Sequence, residues 1–198
     1  MTRRTILLLL LSTPFVNQIK ATSSDCKKTP LQSKGPFYKV PSQIFNNDMT
    51  NNGKAIGKKI KVYGKILDNK CKPITNAILD IWQANSFGKY NHKADLSRSR
   101  KDNDFFGYMR LLSNEKGEYN FNTILPGSYK VSKDLIRTPH IHFKVTNKKK
   151  QLTTQMYFKG NEMNNKDFLF KNTYNNNALV ASIDKSFSNL TYKFNIII

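Results

Sequence analysis

The chain is poor in the side chains that most metal and redox sites use. Its 198 residues include only two cysteines, three histidines and one tryptophan. Neither Cys26 nor Cys71 belongs to a Cys-x-x-Cys pair, which argues against a zinc site built on thiolates. A disulfide between the two cysteines and a pair of free thiols are both compatible with the sequence.

Long hydrophobic runs are also missing. The longest N-terminal apolar run, at residues 6–11, follows Arg3 and Arg4 and is too short to span a bilayer. This pattern predicts a secretory signal peptide over residues 1–21, with the mature chain starting near Thr22. We therefore expect an exported protein, periplasmic or secreted, in an oxidising compartment and without stable insertion into a membrane.

Acidic residues are scarce: 13 Asp and Glu stand against 33 Lys and Arg, which gives a net charge of +20. Such a charge attracts anionic small molecules, nucleic acid or a membrane surface. However, the lysines are scattered among asparagines, and aromatic residues do not alternate with them as in a base-stacking surface. The pattern favours a general bias in residue usage, so no nucleic-acid partner is expected. A basic protein that binds anionic polymers remains an alternative.

The length and the hydrophobic content of 38% are typical of one domain with a real core. Residues 22–58 are polar and contain Pro30, Pro36 and Pro41, so they predict an N-terminal arm, with the domain itself at residues 59–198. Alternating apolar residues and flanking turn residues predict strands and no amphipathic helix. This pattern indicates an all-β sandwich. The strand segments read KIKVYGKILD, NAILDIWQAN, GYMRLLS, GEYNFNTI, HIHFKVT, LTTQMYF and LTYKFNIII.

Two of the three histidines lie two residues apart, His140 and His142 in RTPHIHF. On a strand, side chains at i and i+2 share one face, so both imidazoles are directed to one place. A carboxylate as third ligand would indicate Fe(II) or zinc, but no acidic residue lies at a recognisable ligand spacing. Tyr90 and Tyr129 do stand at marked positions, in GKY and PGSY. Taken alone, two histidines in this spacing on a strand are more often structural residues than metal ligands.

Four separated motifs together resemble a known family. In chain order they are ILDIWQANSFGKYNH, GYMRLLSNEKGEYNFNTILPGSY, RTPHIHFKV and TTQMYF, and CKKTPLQSKGPFY precedes them. They resemble the intradiol ring-cleavage dioxygenases, most similarly the protocatechuate 3,4-dioxygenase type, in an exported form. The resemblance covers roughly residues 59–160.

The resemblance implies a β-sandwich of the prealbumin (transthyretin-like) type with long loops, and no organic cofactor. It implies a non-haem Fe(III) whose ligands are Tyr90, Tyr129, His140 and His142. Phenolate is a hard, strongly donating ligand that favours ferric iron, and imidazole suits iron in either state. In the implied reaction, O2 cleaves a catechol ring between its two hydroxylated carbons and gives a cis,cis-muconate-type diacid.

The resemblance also implies catalytic roles. Tyr129 leaves the metal when substrate binds and takes up a proton, and Arg137 stabilises negative charge on the substrate ring. Gln155 positions that arginine or the substrate. His92 is expected near the site or at the surface, and Trp82 in the core.

The sequence departs from the protocatechuate enzymes in one respect. The segment KVSKDLI at residues 130–136 is short and lacks the tryptophan that those enzymes carry there. Catechol or a substituted catechol, with O2, is therefore the expected small-molecule partner, and a homo-oligomer is the expected assembly. The alternative is a catalytically silent secreted β-sandwich that binds carbohydrate or a surface partner.

Overall fold

The structure is a computed structural model that describes residues 26–40, 47–148 and 150–198. The predicted signal peptide lies outside these residues, as does part of the predicted arm. Within the described ranges, no helix is both long and apolar enough to cross a membrane.

Strands dominate the described residues, as the sequence predicts. The helices are short: α1 (Phe168–Lys171) and two 3₁₀ helices (Glu162–Lys166 and Asn176–Leu179). The strands are β1 (Lys59–Leu67), β2 (Ile78–Trp82), β3 (Tyr108–Leu112), β4 (Glu118–Ile124), β5 (Tyr129–Lys130), β6 (Ile136–Arg137), β7 (His140–Asn147), β8 (Lys150–Phe158), β9 (Val180–Asp184), β10 (Thr191–Lys193) and β11 (Ile196–Ile197).

All seven predicted strand segments form strands, although the last is divided into β10 and β11. Strand β1 shows why the prediction works: Val62 and Ile66 are fully buried, while Tyr63 and Lys65 are more exposed. Period-two alternation of this kind places one side of a strand on the core. The hairpin of β5 and β6 and the strand β9 were not predicted, because two-residue strands and the polar sequence VASID carry little alternation.

In the described residues, nine strands form one sheet in the order β11-β1-β10-β9-β8-β7-β2-β3, with β4 paired to β1. The two ends of this sheet fold over each other around one main hydrophobic core, and two smaller buried clusters lie outside it. Phe121 on β4 and Phe143 on β7 are not on paired strands, yet their ring centroids lie 6.1 Å apart across the core. The all-β expectation is therefore confirmed, with two strand layers packed face to face.

The face of the β2-β7-β8 layer that points away from the main core carries the predicted site residues His140, His142 and Gln155. His142 lies between Trp82 on β2 and Gln155 on β8, and His140 lies opposite Tyr157 on β8. Side chains at directly opposed positions of paired strands share a face. The register thus brings these five residues together on the side away from the main core.

The N-terminal arm crosses this polar face and is tied down at several points. A disulfide joins Cys26 to Cys71 in the turn after β1, so the two cysteines are not free thiols. The backbone N–H of Thr29 donates to the carbonyl of Ile197 at 3.1 Å. The arm is therefore an integral part of the described fold.

Candidate metal centre and substrate cavity

His140 and His142 point to one place, as predicted. Both side chains are buried, and their Nε2 atoms lie 3.1 Å apart. The Nδ1 of His140 lies 2.6 Å from the carbonyl oxygen of Thr138. Since a carbonyl only accepts hydrogen bonds, Nδ1 carries the proton and Nε2 keeps its lone pair, as a metal-binding imidazole requires.

His142 is held by stacking on Trp82, with ring centroids 4.7 Å apart and planes at 7°. Its Nδ1 is one of two buried side-chain nitrogen or oxygen atoms in the described residues that have no hydrogen-bond partner. The expectation that Trp82 is a core residue is confirmed by its burial, but its ring also forms one wall of the site.

Tyr90 reaches the histidines from the loop after β2, and Tyr129 reaches them from the short strand β5. The hydroxyl of Tyr90 lies 3.4 Å from His140 Nε2. The ring centroid of Tyr129 is 5.5 Å from that of Tyr90 and 5.7 Å from that of His140. The four predicted ligands therefore form one cluster, and they come from a loop after β2, from β5 and from β7.

Two glycines allow the tyrosine loops to pack against each other. A Cβ atom on Gly88 would lie 2.3 Å from the carbonyl oxygen of Ser128, and one on Gly127 would lie 2.5 Å from the backbone of the opposite loop. Gly88 also has a φ of +74°, which disfavours any other residue. Glycine at both positions thus permits the approach of Tyr90 and Tyr129.

The Tyr90 loop is also fixed by a buried ion pair. The Nζ of Lys89 lies 3.2 Å from an Asp95 carboxylate oxygen, and both side chains are buried. The other carboxylate oxygen of Asp95 accepts the backbone N–H of Tyr90 at 2.7 Å. Asp95, itself held by Lys89, thus fixes the backbone of Tyr90.

The cluster is chemically suited to a cation. Burial, reinforced by Arg137, lowers the pKa of His140 and His142 well below the usual range, so both imidazoles are neutral. Burial also raises the pKa of Tyr90 and Tyr129 above the usual value, so both phenols stay protonated unless a cation lies beside them.

The spacing of the nitrogen atoms also fits a bound metal. Two nitrogen ligands bonded at about 2.1 Å to one ion lie roughly 3.0–3.4 Å apart. The observed separation of 3.1 Å between the two Nε2 atoms falls in this interval. Among the described residues, no group of three or more His, Cys, Asp or Glu side chains could hold a metal. The further potential ligands that lie beside the two histidines are the phenols of Tyr90 and Tyr129.

Arg137 lies beside this cluster and is held by three buried partners. Its Nε donates to Asp167 at 2.8 Å, and its Nη2 donates to Gln155 at 2.5 Å and to the Tyr157 hydroxyl at 3.2 Å. Burial opposes the charge of Arg137, but Tyr129, Tyr157 and Asp167 together raise its pKa above the ordinary value. The guanidinium is therefore a fixed, buried cation.

The N-terminal arm sets the orientation of Gln155. Its Nε2 donates to the carbonyl of Ser33 at 2.8 Å, so its Oε1 is directed towards Arg137 and Tyr157. The neighbouring backbone N–H of Gln32 donates to the Thr153 carbonyl at 2.9 Å. The arm thus completes the network around the arginine.

A cavity of about 850 Å³ opens above the cluster. Tyr129, Arg137 and His142 contribute to its wall, whereas Tyr90 is buried beneath it. Residues 33–37 of the arm form another part of the wall. A small molecule in this cavity would meet Tyr129 and Arg137 directly.

The structure thus brings together all six predicted site residues, on β5 to β8 and on the loop after β2. His92 lies apart from the ligand cluster, partly exposed, with its ring 6.0 Å from that of Phe37. Sequence reasoning missed Asp167 and Tyr157, which hold Arg137. Tyr157 could have been found, because TTQMYF places it two residues after Gln155 on the same strand face. Asp167 lies in an irregular segment without such a signal.

Comparison with known proteins places the chain in a family. The family model described as Dioxygenase matches residues 33–198. The protocatechuate 3,4-dioxygenase beta chain of Burkholderia cepacia is 36% identical over 137 residues, which cover 65% of this chain and 58% of that protein. The chain spans about three fifths of the length of the first curated relatives it matches, 58% and 61%.

Solved structures of dioxygenases are also similar to this chain. The dioxygenase domain of a dioxygenase and carbohydrate-binding protein fusion from Streptomyces sp. SirexAA-E has a TM-score of 0.69 and 27% identity, covering 87% of this chain and 98% of that one. An intradiol ring-cleavage dioxygenase from Tetranychus urticae has a TM-score of 0.71 and 25% identity, covering 87% and 95%. The chain therefore belongs to the dioxygenase family and, within it, to the intradiol ring-cleavage dioxygenases.

Proposed function

We propose that the chain is a non-haem iron dioxygenase that cleaves a catechol ring between its two hydroxylated carbons. The observation that carries this proposal is the convergence of two imidazole Nε2 atoms and two phenols beside a cavity that a buried arginine lines. Family membership and the relatives' activities support it. The proposed metal ligands are Tyr90, Tyr129, His140 and His142.

The reaction balances with O2 as the only co-substrate. The bond between the two hydroxylated carbons breaks, and each carbon gains one oxygen atom and becomes a carboxyl group. The ring supplies the electrons that reduce O2, so no external reductant is needed. The product is a cis,cis-muconate-type diacid.

When bound, Fe(III) supplies Lewis acidity and a template that draws electron density from the substrate. The protein supplies positioning and proton transfer. Tyr129 lines the cavity and Tyr90 does not. The phenol oxygen of Tyr129 is therefore the one placed to accept a proton from a substrate hydroxyl. Arg137, fixed by Asp167 and Gln155, presents a positive charge to the negative charge that develops on the ring.

The test is a visible absorption spectrum of the purified protein after loading with iron, before and after anaerobic addition of catechol. We expect a tyrosinate-to-iron absorption band that shifts to longer wavelength when catechol binds. His140→Ala and Tyr129→Phe should remove or strongly weaken the band. His92→Ala is the matched control, because the third histidine lies outside the cluster, and it should keep the band.

A protein that binds no iron and stays colourless would refute the proposal and favour a secreted binding protein of the same fold. Uptake of one O2 per catechol, measured in the same preparation, would establish the activity. Product identification by mass spectrometry would then distinguish this ring cleavage from simple oxidation to a quinone, which adds no oxygen atoms.

We also propose that the chain is exported. The predicted signal peptide motivates this proposal, and the Cys26–Cys71 disulfide supports it because such bonds persist in oxidising compartments. Expression of the full chain, followed by N-terminal sequencing of any secreted product, tests it. Recovery of only uncleaved protein from inside the cells would contradict it.

A further inference from the structure

The cavity is larger than a single catechol ring requires. Its volume is about 850 Å³, near the upper end of the roughly 300–1,000 Å³ typical of sites for drug-sized ligands. A catechol is one six-membered ring with two hydroxyl groups, and the proposed chemistry places it against Tyr129, Arg137 and His142. Most of the cavity is left over, so its outer part needs a separate explanation.

The outer part carries an apolar rim formed by Leu96, Val131 and Ile136. These side chains are 90%, 57% and 39% exposed, although all three are large and apolar. Single exposed apolar residues are normal on protein surfaces. Here, however, two separate loops bring three of them to the mouth of one cavity, and Phe168 and Leu169 of α1 extend the same wall. A grouped apolar surface at a cavity mouth is typical of a ligand contact.

The charge at the mouth is positive. Lys34 and Lys130 line the cavity. The carboxylate that also lines it, Asp95, is paired with Lys89 at 3.2 Å. A ligand group that reaches the mouth therefore meets uncompensated lysine charge, which disfavours a cationic group and accepts a neutral or anionic one.

We propose, building on the proposed function, that the preferred substrates are catechols with an extended apolar substituent that ends in a neutral or anionic group. The substituent lies on the apolar rim while the two hydroxyls reach the metal centre. Burying a methylene group improves binding by about threefold to fourfold. For a three-carbon chain that is only partly buried, we expect a gain of about tenfold over catechol.

The experiment compares iron-loaded protein with catechol, propylcatechol, and propylcatechols whose chains end in a carboxylate or an ammonium group. Two quantities are measured: kcat/KM from O2 uptake, and the dissociation constant from the anaerobic colour shift. The neutral and carboxylate chains should exceed catechol by about tenfold in both, and the ammonium chain should not.

Two variants test whether the substituent binds on the apolar rim. Leu96→Asp and Val131→Asp should reduce the ratio of propylcatechol to catechol, by several-fold, in both measurements. The matched control is Leu112→Asp, on β3 and outside the cavity, whose side chain is 45% exposed. This control should keep the ratio of the unmodified protein.

The possible results distinguish a failure of this substrate assignment from a failure of the proposed function on which it rests. A protein that cleaves catechol but shows a flat series, or a series that both rim variants leave intact, overturns the substrate assignment alone. Equal binding of the ammonium chain overturns its charge component. A protein that cleaves none of the four compounds overturns the proposed function, and the substrate assignment with it.

Discussion

The buried ion pair of Arg137 and Asp167 makes a quantitative prediction. The Asp167 side chain is fully buried, and one of its carboxylate oxygens accepts hydrogen bonds from Arg137 Nε at 2.8 Å and the Thr138 backbone at 3.0 Å. Its other oxygen accepts two backbone N–H groups at the start of α1. In Asp167→Asn, one oxygen can still cap the helix, but the new NH₂ group faces two donors.

The cost follows from the charge that is left behind. Arg137 would remain a buried cation without its anion, and breaking a buried pair in this way costs about 3–5 kcal/mol. For a chain of this size, each kcal/mol changes Tm by about 2–4 °C. Asp167→Asn should therefore lower Tm by roughly 6–20 °C, and it should reduce kcat because the guanidinium is no longer fixed.

The matched control is Asp80→Asn. Asp80 forms a similar two-point pair with Arg110, at 2.6 and 3.0 Å, but the Arg110 side chain is 26% exposed. Because that guanidinium keeps contact with water, we expect a smaller loss of about 1–2 kcal/mol. This pair is also separate from the network that holds Arg137, so the predicted change in kcat is specific to Asp167→Asn.

Urea unfolding of both variants gives the free energies, and O2 uptake gives kcat. The double variant Arg137→Met with Asp167→Asn should be more stable than Asp167→Asn alone, because the unpaired cation is gone. The reasoning is refuted if Asp167→Asn is no less stable than Asp80→Asn, or if the double variant recovers nothing.

Three further predictions concern other parts of the fold. Gly127→Ala places a methyl group 2.5 Å from backbone atoms of the opposite loop, so it should lower iron content, measured by elemental analysis, more than it lowers helix or strand content, measured by circular dichroism. Replacing Cys26 and Cys71 by serine removes a link with a sequence separation of 45 residues; by the chain-entropy relation this costs about 4 kcal/mol in urea unfolding, and a loss below about 1 kcal/mol would contradict it. Hydrogen bonds, chiefly from Ser186, lower the pKa of Asp184 to about 2 from 3.8. Because this pKa is lower in the folded protein, the ionised Asp184 stabilises the fold at pH values above 3.8, and this stabilisation is lost as the pH falls towards about 2. Asp184→Asn should therefore make the free energy of unfolding less dependent on pH between about 4 and 2. An unchanged pH dependence would contradict this prediction.

The sequence predicted the parts of the site that depend on regular strands. His140 and His142 share a face because β7 is regular, and Gln155 lies opposite His142 because β7 and β8 form a simple antiparallel pair. The sandwich followed from the same alternation. Tyr90 and Tyr129 were identified by resemblance, since a loop and a two-residue strand carry no period from which a side chain's direction can be read.

What the sequence could not show depends on contacts between distant, irregular segments. Asp167 reaches Arg137 across 30 residues of sequence, and Ser33 reaches Gln155 across 122. No local pattern records such a pairing. The size of the cavity and its apolar rim were hidden for the same reason, because they depend on how loops fold back over the sheet.

The docking of the arm has a consequence for the order in which the protein assembles. Thr29 pairs with Ile197 across 168 residues, and β1 pairs in parallel with β10 and β11. These contacts cannot form until β10 and β11 have been synthesised and have left the ribosome. Because contacts between such distant residues slow folding, we expect the arm to become protected from hydrogen exchange late in refolding, after β7 and β8. The cavity wall would then be completed last, and a chain stopped short of β11 would retain the histidine pair but lack a closed site.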